Sequence, residues 1–233
     1  MLLLRKSRIF TIVLCAIITI LALNIELHNV KASVLKKQER NLAILVDLVD
    51  ERLYLIDKEN NLILKNYRIA SGKRDSPSPI GTWTVVSMGK WSGGFGTRWI
   101  GLNVPWGKYG IHGTNNPHSI GSEASHGCIR MFNRDVEELY EYVCNGMTVV
   151  ICACPYGAFE KGLVTLKPGD RGSAIYEVQR QMKQKGYYPG SLDGIYGEGM
   201  KKYVIKFRVD NKLKLSHDID REFYERLGII FME

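Results

Sequence analysis

The chain has 233 residues, 45% of them hydrophobic and 24% charged, with a formal net charge of +8. That length suits one large domain or two small ones, and the apolar content is enough to bury a core. The basic balance suits an anionic surface such as a cell wall or membrane, while the lack of any Lys/Arg cluster interleaved with stacking aromatics argues against nucleic acid.

The N-terminus stands apart. Arg5, Lys6 and Arg8 precede an apolar run from Ile9 to about Ile25, and Val30-Lys31-Ala32 places small or β-branched residues where a signal peptidase cuts. The run is slightly long for a signal peptide core and slightly short for a comfortable membrane span. Residues 1–32 therefore read as a signal peptide or an N-terminal membrane anchor through residues 9–25. Either way the rest of the chain is expected to be exported, to the cell wall or the outer face of the cytoplasmic membrane.

From Leu42 to about Cys154 the pattern is strand-rich. NLAILVDLVDERLYLIDKENNLILKNYRIASG holds three β-rich runs, broken at Asp50-Glu51 and at Lys58-Glu59-Asn60-Asn61. Pro77 and Pro79 bar helix, and Trp83 to Val86 resumes a strand. Glycines 93, 94, 96, 101, 107 and 110 then punctuate turns. One helix interrupts the strands. Asn133 is expected to cap it, with Asp135, Glu137 and Glu138 at the positive end of its dipole. Val136, Leu139, Tyr140 and Val143 form its apolar stripe, and Asn145-Gly146 ends it. A strand from Thr148 to Cys154 closes this unit, 42–154, and residues 155–162 read as a linker.

Residues 163–230 change character. Ile175, Val178 and Met182 share one helical stripe, and Met200, Tyr203, Val204 and Phe207 a second. Phe223 and Leu227 belong to a third, stopped by Gly228. The expectation is a mainly β, sandwich-like catalytic domain with one short helix, followed by a small all-α three-helix domain. The five cysteines show no regular disulfide spacing. Cys144, Cys152 and Cys154 read as small buried apolar residues, with a disulfide from Cys144 to one of the other two left open.

The segment GIHGTNNPHSIGSEASHGCIRM, residues 110–131, gathers His112, His118, His126 and Cys128 among small residues. Metal binding fits poorly. His126 and Cys128 are only one residue apart, and the H-x-x-x-H and C-x-x-C spacings of common zinc sites are missing. Cysteine nucleophile chemistry fits better, because a free thiol needs a nearby imidazole to become a useful nucleophile at neutral pH. His126 flanks Cys128, and His112 ends another strand-like run that folding can bring across to the thiol. Small residues around Gly127 let backbone N–H groups approach a developing oxyanion. His118 and His217 read as surface residues.

These residues resemble the signature of the L,D-transpeptidase family, the YkuD-type catalytic domain. The likeness runs through SPIGTW, FGTRWIGLN, IHGT, SIG, SHGCIRM and RMFNRDVEELYEYVCNGMTVVI. The last seventy residues are similar to a three-helix peptidoglycan-binding domain over LKPGDRGSAIYEVQRQMKQKGYYPGSLDGIYGEG. They depart from its usual pattern at Met200 and at Phe207-Arg208.

The resemblance implies that Cys128 is the nucleophile and His112 its base, oriented by the carbonyl of Gly113. His126 would support the site by hydrogen bonding, and Gly127 and Cys128 would offer oxyanion N–H groups. Ser125 and Arg130 would hold the loop or a substrate carboxylate, although a structural ion pair is an equal reading of Arg130. Trp91, Phe95, Arg98, Trp99 and Tyr109 would build the cleft walls and lid, unless each simply packs in the core. The implied reaction acylates Cys128 with a stem peptide, releases D-alanine, and passes the acyl group to a neighbouring stem as a 3→3 cross-link. No metal or organic cofactor is implied. The implied partners are peptidoglycan stem peptides and glycan strands, with carbapenem-type β-lactams as covalent inhibitors. Three rivals stand beside this: an L,D-carboxypeptidase that resolves the same thioester with water, a non-catalytic wall-binding protein, and a cysteine hydrolase of another fold, whose papain-like neighbourhood around the cysteine is absent.

Overall fold

The computed structural model describes residues 41–153, 157–159 and 162–229. The leader, Cys154 and half of the expected linker lie outside the described residues. Among the described residues, no helix is long and apolar enough to cross a membrane.

Nine strands come first: β1 (Leu42–Asp47), β2 (Arg52–Asp57), β3 (Leu62–Gly72), β4 (Gly81–Lys90), β5 (Arg98–Leu102), β6 (Tyr109–Thr114), β7 (Glu123–Ser125), β8 (Ile129–Phe132) and β9 (Thr148–Cys152). They lie in the order β2-β1-β9-β4-β5-β6-β8-β3-β7, and β2 also pairs with β3. The sheet therefore closes on itself rather than forming the sandwich-like arrangement expected from the sequence. Two long strands explain the closure. β3 pairs with β2 through Arg68, then turns to β8 at Ile69 and Ala70. β4 pairs with β9 up to Thr84 and with β5 from Val85 onward, with a register shift between Val85 and Ser87. A strand that changes partner midway joins two would-be sheets into one wall, and a bulge supplies the bend.

Strand alternation sends one side chain in two to the interior. Ile44, Val46, Leu53, Leu55, Ile69, Ile100, Ile111, Ile129 and Val149 are buried there. Helix α1 (Asn133–Tyr140) packs on β5, β6 and β8 through buried Val136 and Leu139. Asn133 does not cap it as expected. No side chain caps this helix, and the Asn133 Oδ1 instead accepts from the Thr97 N–H at 3.2 Å. The stripe residue Val143 is buried beyond the helix end, and Gly146 turns the chain with φ +89°. Cys144 is exposed, unlike the buried residue expected, and neither it nor Cys152 forms a disulfide among the described residues. Cys152 is half-buried and donates to the Val46 carbonyl at 3.5 Å.

The C-terminal elements are α2 (Ser173–Gln184), α3 (Glu198–Asp210) and α4 (Arg221–Leu227). Their stripes meet in a second core of Ile175, Val178, Met182, Met200, Val204, Phe207, Phe223 and Leu227. Two polar side chains are fully buried among them. Gln179 bonds Asp193 at 2.7 Å and accepts from the Gly194 N–H at 2.8 Å. Arg208 donates to the carbonyls of Asp218 at 2.7 Å and Lys214 at 2.9 Å, and pairs with Asp220 at 2.8 Å. Asp220 in turn caps α4 by accepting from the Phe223 N–H. Arg208 thus satisfies carbonyls and a cap that an apolar residue would leave unbonded. The residues from Leu42 onward pack as one unit, in which the Ser173 hydroxyl accepts from the Ile80 N–H at 2.9 Å.

Candidate active site

The parity of β6 and β8 builds the site. The two strands run parallel with Ile111 opposite Ile129 and His112 opposite Arg130. Ile111 and Ile129 point into the barrel, so His112 and Arg130 share the outer face. Cys128 lies two residues before Arg130 and joins that face. Trp99 of β5 pairs with His112 and completes it. The result is a cleft of about 420 Å³ lined by Trp91, Phe95, Trp99, Lys108, His112, Ser125, His126, Cys128 and Arg130, with Gly94 at its edge.

His112 is only 3% exposed. Trp99 stacks on its ring at 5.8 Å between centroids, and Phe95 meets it edge-on at 5.0 Å. Its Nδ1 lies 2.6 Å from the Gly113 carbonyl oxygen. A carbonyl only accepts, so Nδ1 carries the proton and the neutral ring presents Nε2 as its basic edge. Burial lowers the His112 pKa below its ordinary value; the carbonyls of Gly113 and Phe95 pull it back up, and Arg130 lowers it further. Burial likewise raises the Cys128 thiol, against smaller opposing effects of the Gly110 backbone, Arg130 and Lys108. Both shifts favour the uncharged forms of the thiol and the imidazole that line this cleft.

The turn between β7 and β8 is held by Ser125, which is fully buried. Its hydroxyl donates to the Cys128 carbonyl at 2.6 Å and accepts from the Gly127 N–H at 2.9 Å. The Gly127 N–H is therefore engaged within the turn rather than offered to an oxyanion, a correction to the sequence reading. Gly127 has φ +104°, a conformation open to glycine and strained for any other residue. His126 is exposed at the cleft rim, and no hydrogen bond holds it among the described residues. Arg130 makes one long contact, to the Ala124 carbonyl at 3.4 Å, and has no ion-pair partner among the described residues.

Parity also corrects two expected wall residues. Arg98 precedes Trp99 on β5 and faces the other way. It donates to the Thr97 carbonyl, approaches Glu137 at 3.9 Å and lies over the Tyr140 ring of α1. Tyr109 shares the parity of Ile111 and packs against the barrel core beneath the turn, outside the cleft lining. Trp91 and Phe95 do form a half-exposed wall, with Trp91 stacked on Trp99 at 5.7 Å. His118 and His217 are exposed, away from the cleft. One lining residue was missed. Lys108 reaches over the rings of Trp91 at 5.6 Å and Trp99 at 5.8 Å. Its spacing from Gly110 and His112 at i, i+2, i+4 carried the signal.

Two family models match the chain. The L,D-transpeptidase catalytic domain, YkuD, covers residues 41–151, and the "Putative peptidoglycan binding domain" covers residues 171–227. "Putative L,D-transpeptidase YkuD" of Bacillus subtilis (strain 168) is 47% identical over 93 residues, 40% of this chain and 56% of the relative. Its Bacillus licheniformis namesake is 48% identical over 101 residues, 43% and 58% of the two chains. The match thus spans less than two thirds of either relative. "Putative L,D-transpeptidase YqjB" of Bacillus subtilis (strain 168) is 34% identical over 121 residues, 42% of this chain and 69% of the relative. With SHGC at residues 125–128 and His112 in one cleft, the chain belongs to the L,D-transpeptidase family, and its residues 171–227 match the peptidoglycan-binding model.

Proposed function

We propose that this protein is an L,D-transpeptidase in which the Cys128 sulfur attacks the carbonyl of the third residue of a peptidoglycan stem. The reading is carried by one observation: Cys128 and His112 line the same cleft, with the His112 Nδ1 engaged by Gly113. As sulfur bonds to carbon, its proton passes to Nε2 of His112, and the tetrahedral oxyanion is met by the Cys128 N–H. The imidazolium then protonates the departing amine, and D-alanine leaves. A thioester remains. The amine of a second stem attacks it, loses a proton to His112, and forms a 3→3 cross-link while the thiol is restored. Neutral partners at rest suit this sequence, because charge develops only when the substrate supplies the electrophile.

Arg130 and Lys108 give the cleft two cations with no acidic lining residue beside them. They would bind the stem's carboxylates while the aromatic wall of Trp91, Phe95 and Trp99 covers its aliphatic parts. The C-terminal helices would hold the enzyme on the wall polymer, raising the local substrate concentration. The site of action would be the cell wall or the outer face of the cytoplasmic membrane, and carbapenems would acylate the same sulfur.

The test is D-alanine release from a soluble tetrapeptide stem, with and without an added acceptor stem. Wild type should release D-alanine and form the cross-linked product when acceptor is present, and Cys128→Ala should do neither. Release that ignores the acceptor would mark a carboxypeptidase. Equal release by Cys128→Ala would end the cysteine reading.

A further inference from the structure

The Cys128 turn rests on a column of aromatic rings that ends in the C-terminal helices. A Cβ built on Gly127 would fall 2.6 Å from a Tyr109 ring carbon, so that ring is the floor of the turn. Burial raises the Tyr109 phenol above its ordinary pKa; a hydrogen bond with Trp106 pulls it back, and charge on Cys128 raises it again. Trp106 meets Tyr109 edge-on at 6.4 Å. It also packs edge-on against Trp83 of β4 at 5.2 Å, and the C-terminal region meets it from two further positions. Tyr176 of α2 packs at 5.7 Å from Trp106 and at 5.5 Å from Trp83. Gly194 brings its backbone so close, at φ +65°, that any Cβ there would overlap the Trp106 ring.

We infer that the C-terminal helices position the Cys128 turn, through Tyr176 and Gly194 on Trp106 and Trp106 on Tyr109, in addition to any grip on the polymer. The inference rests on Cys128 as the nucleophile. Its physical basis is that the turn holds a glycine-only conformation directly on the Tyr109 ring. Without Tyr176 and Gly194, Trp106 keeps Trp83 on one side but loses its C-terminal support, so it can tilt and Tyr109 can follow. A shift of about 1 Å at a reacting atom costs up to roughly a hundredfold in rate. A tether and a positioning contact differ in what they act on. A tether raises turnover on the polymer alone, whereas positioning changes turnover of every substrate.

The experiment uses the full chain with Tyr176→Ala, Tyr176→Phe and Gly194→Ala. Two quantities are read: D-alanine release from a soluble stem tetrapeptide without glycan, and the pH profile of Cys128 alkylation by iodoacetamide. Tyr176→Ala should lower kcat by about tenfold or more, with a smaller change in KM, and should shift the alkylation profile. Tyr176→Phe keeps the ring and should restore both. A folded Tyr176→Ala, checked by far-UV circular dichroism, that matches wild type in both readings overturns the inference. If Tyr176→Ala does not fold, Gly194→Ala is read in the same way. Should wild type itself release no D-alanine, the proposed reaction fails, while the alkylation profile still decides the positioning role.

Discussion

At Cys128 and His112, burial acts on both members of the pair in the direction that keeps them uncharged. The thiol is raised above its ordinary 9.0 and the imidazole lowered below its ordinary 6.5. Iodoacetamide reacts with thiolate, so alkylation of Cys128 in the free protein should rise with a midpoint above pH 9.0. A standing thiolate–imidazolium pair would instead keep alkylation fast well below neutral pH. The acid limb of kcat/KM for D-alanine release should fall below pH 6.5, where the depressed His112 takes up its proton and stops acting as a base. At this scale the sequence singled out the two residues that line one cleft, but not the burial that shifts them. Burial of the His112 ring between Trp99 and Phe95 depends on how β5, β6 and the loop before β5 come together.

Among the elements, β6 and α1 meet without a spare methyl group. Gly113 supplies the carbonyl that orients His112, and a Cβ on it would overlap the Asn133 Oδ1 that also holds the Thr97 N–H. Gly113→Ala should therefore cost about 1–3 kcal/mol by overpacking and lower D-alanine release at least about tenfold. Thermal melting and turnover check both figures. Gly113→Ala/Asn133→Ala should recover most of the lost stability, and no recovery would assign the defect elsewhere. Most elements were legible in the sequence, because periods of two and 3.6 are local properties. The three C-terminal stripes fall on the three observed helices, and Arg208 even continues the second stripe as i+8 from Met200. Barrel closure was not legible, since it depends on β3 and β4 changing partners midway. The Arg98 error arose within a strand, where one residue of parity decides which face a side chain joins.

For the whole molecule, the two cores respond to different perturbations. Arg208 is buried beneath α4, and Arg208→Leu leaves the Asp218 and Lys214 carbonyls and the Asp220 carboxylate without their donor. That should cost about 3 kcal/mol, seen by calorimetry as earlier melting of the C-terminal helices. Burial alone would raise the Asp220 pKa, but bonds from the Phe223 N–H and Arg208 hold it below its ordinary 3.8. A depressed carboxyl stabilises the fold above its unfolded value and loses that contribution as pH falls through its folded value. The advantage of wild type over Asp220→Asn should thus be full at neutral pH and fade only below about pH 3.8.

The central claim is that Cys128, with His112 as its proton acceptor, is the group that becomes acylated. The most direct measurement is intact-protein mass after incubation with a carbapenem. Wild type should gain a single adduct, Cys128→Ala none, and His112→Asn the same adduct at a rate lower by at least about a hundredfold. An adduct that survives Cys128→Ala, or one that forms at the wild-type rate in His112→Asn, would contradict the account.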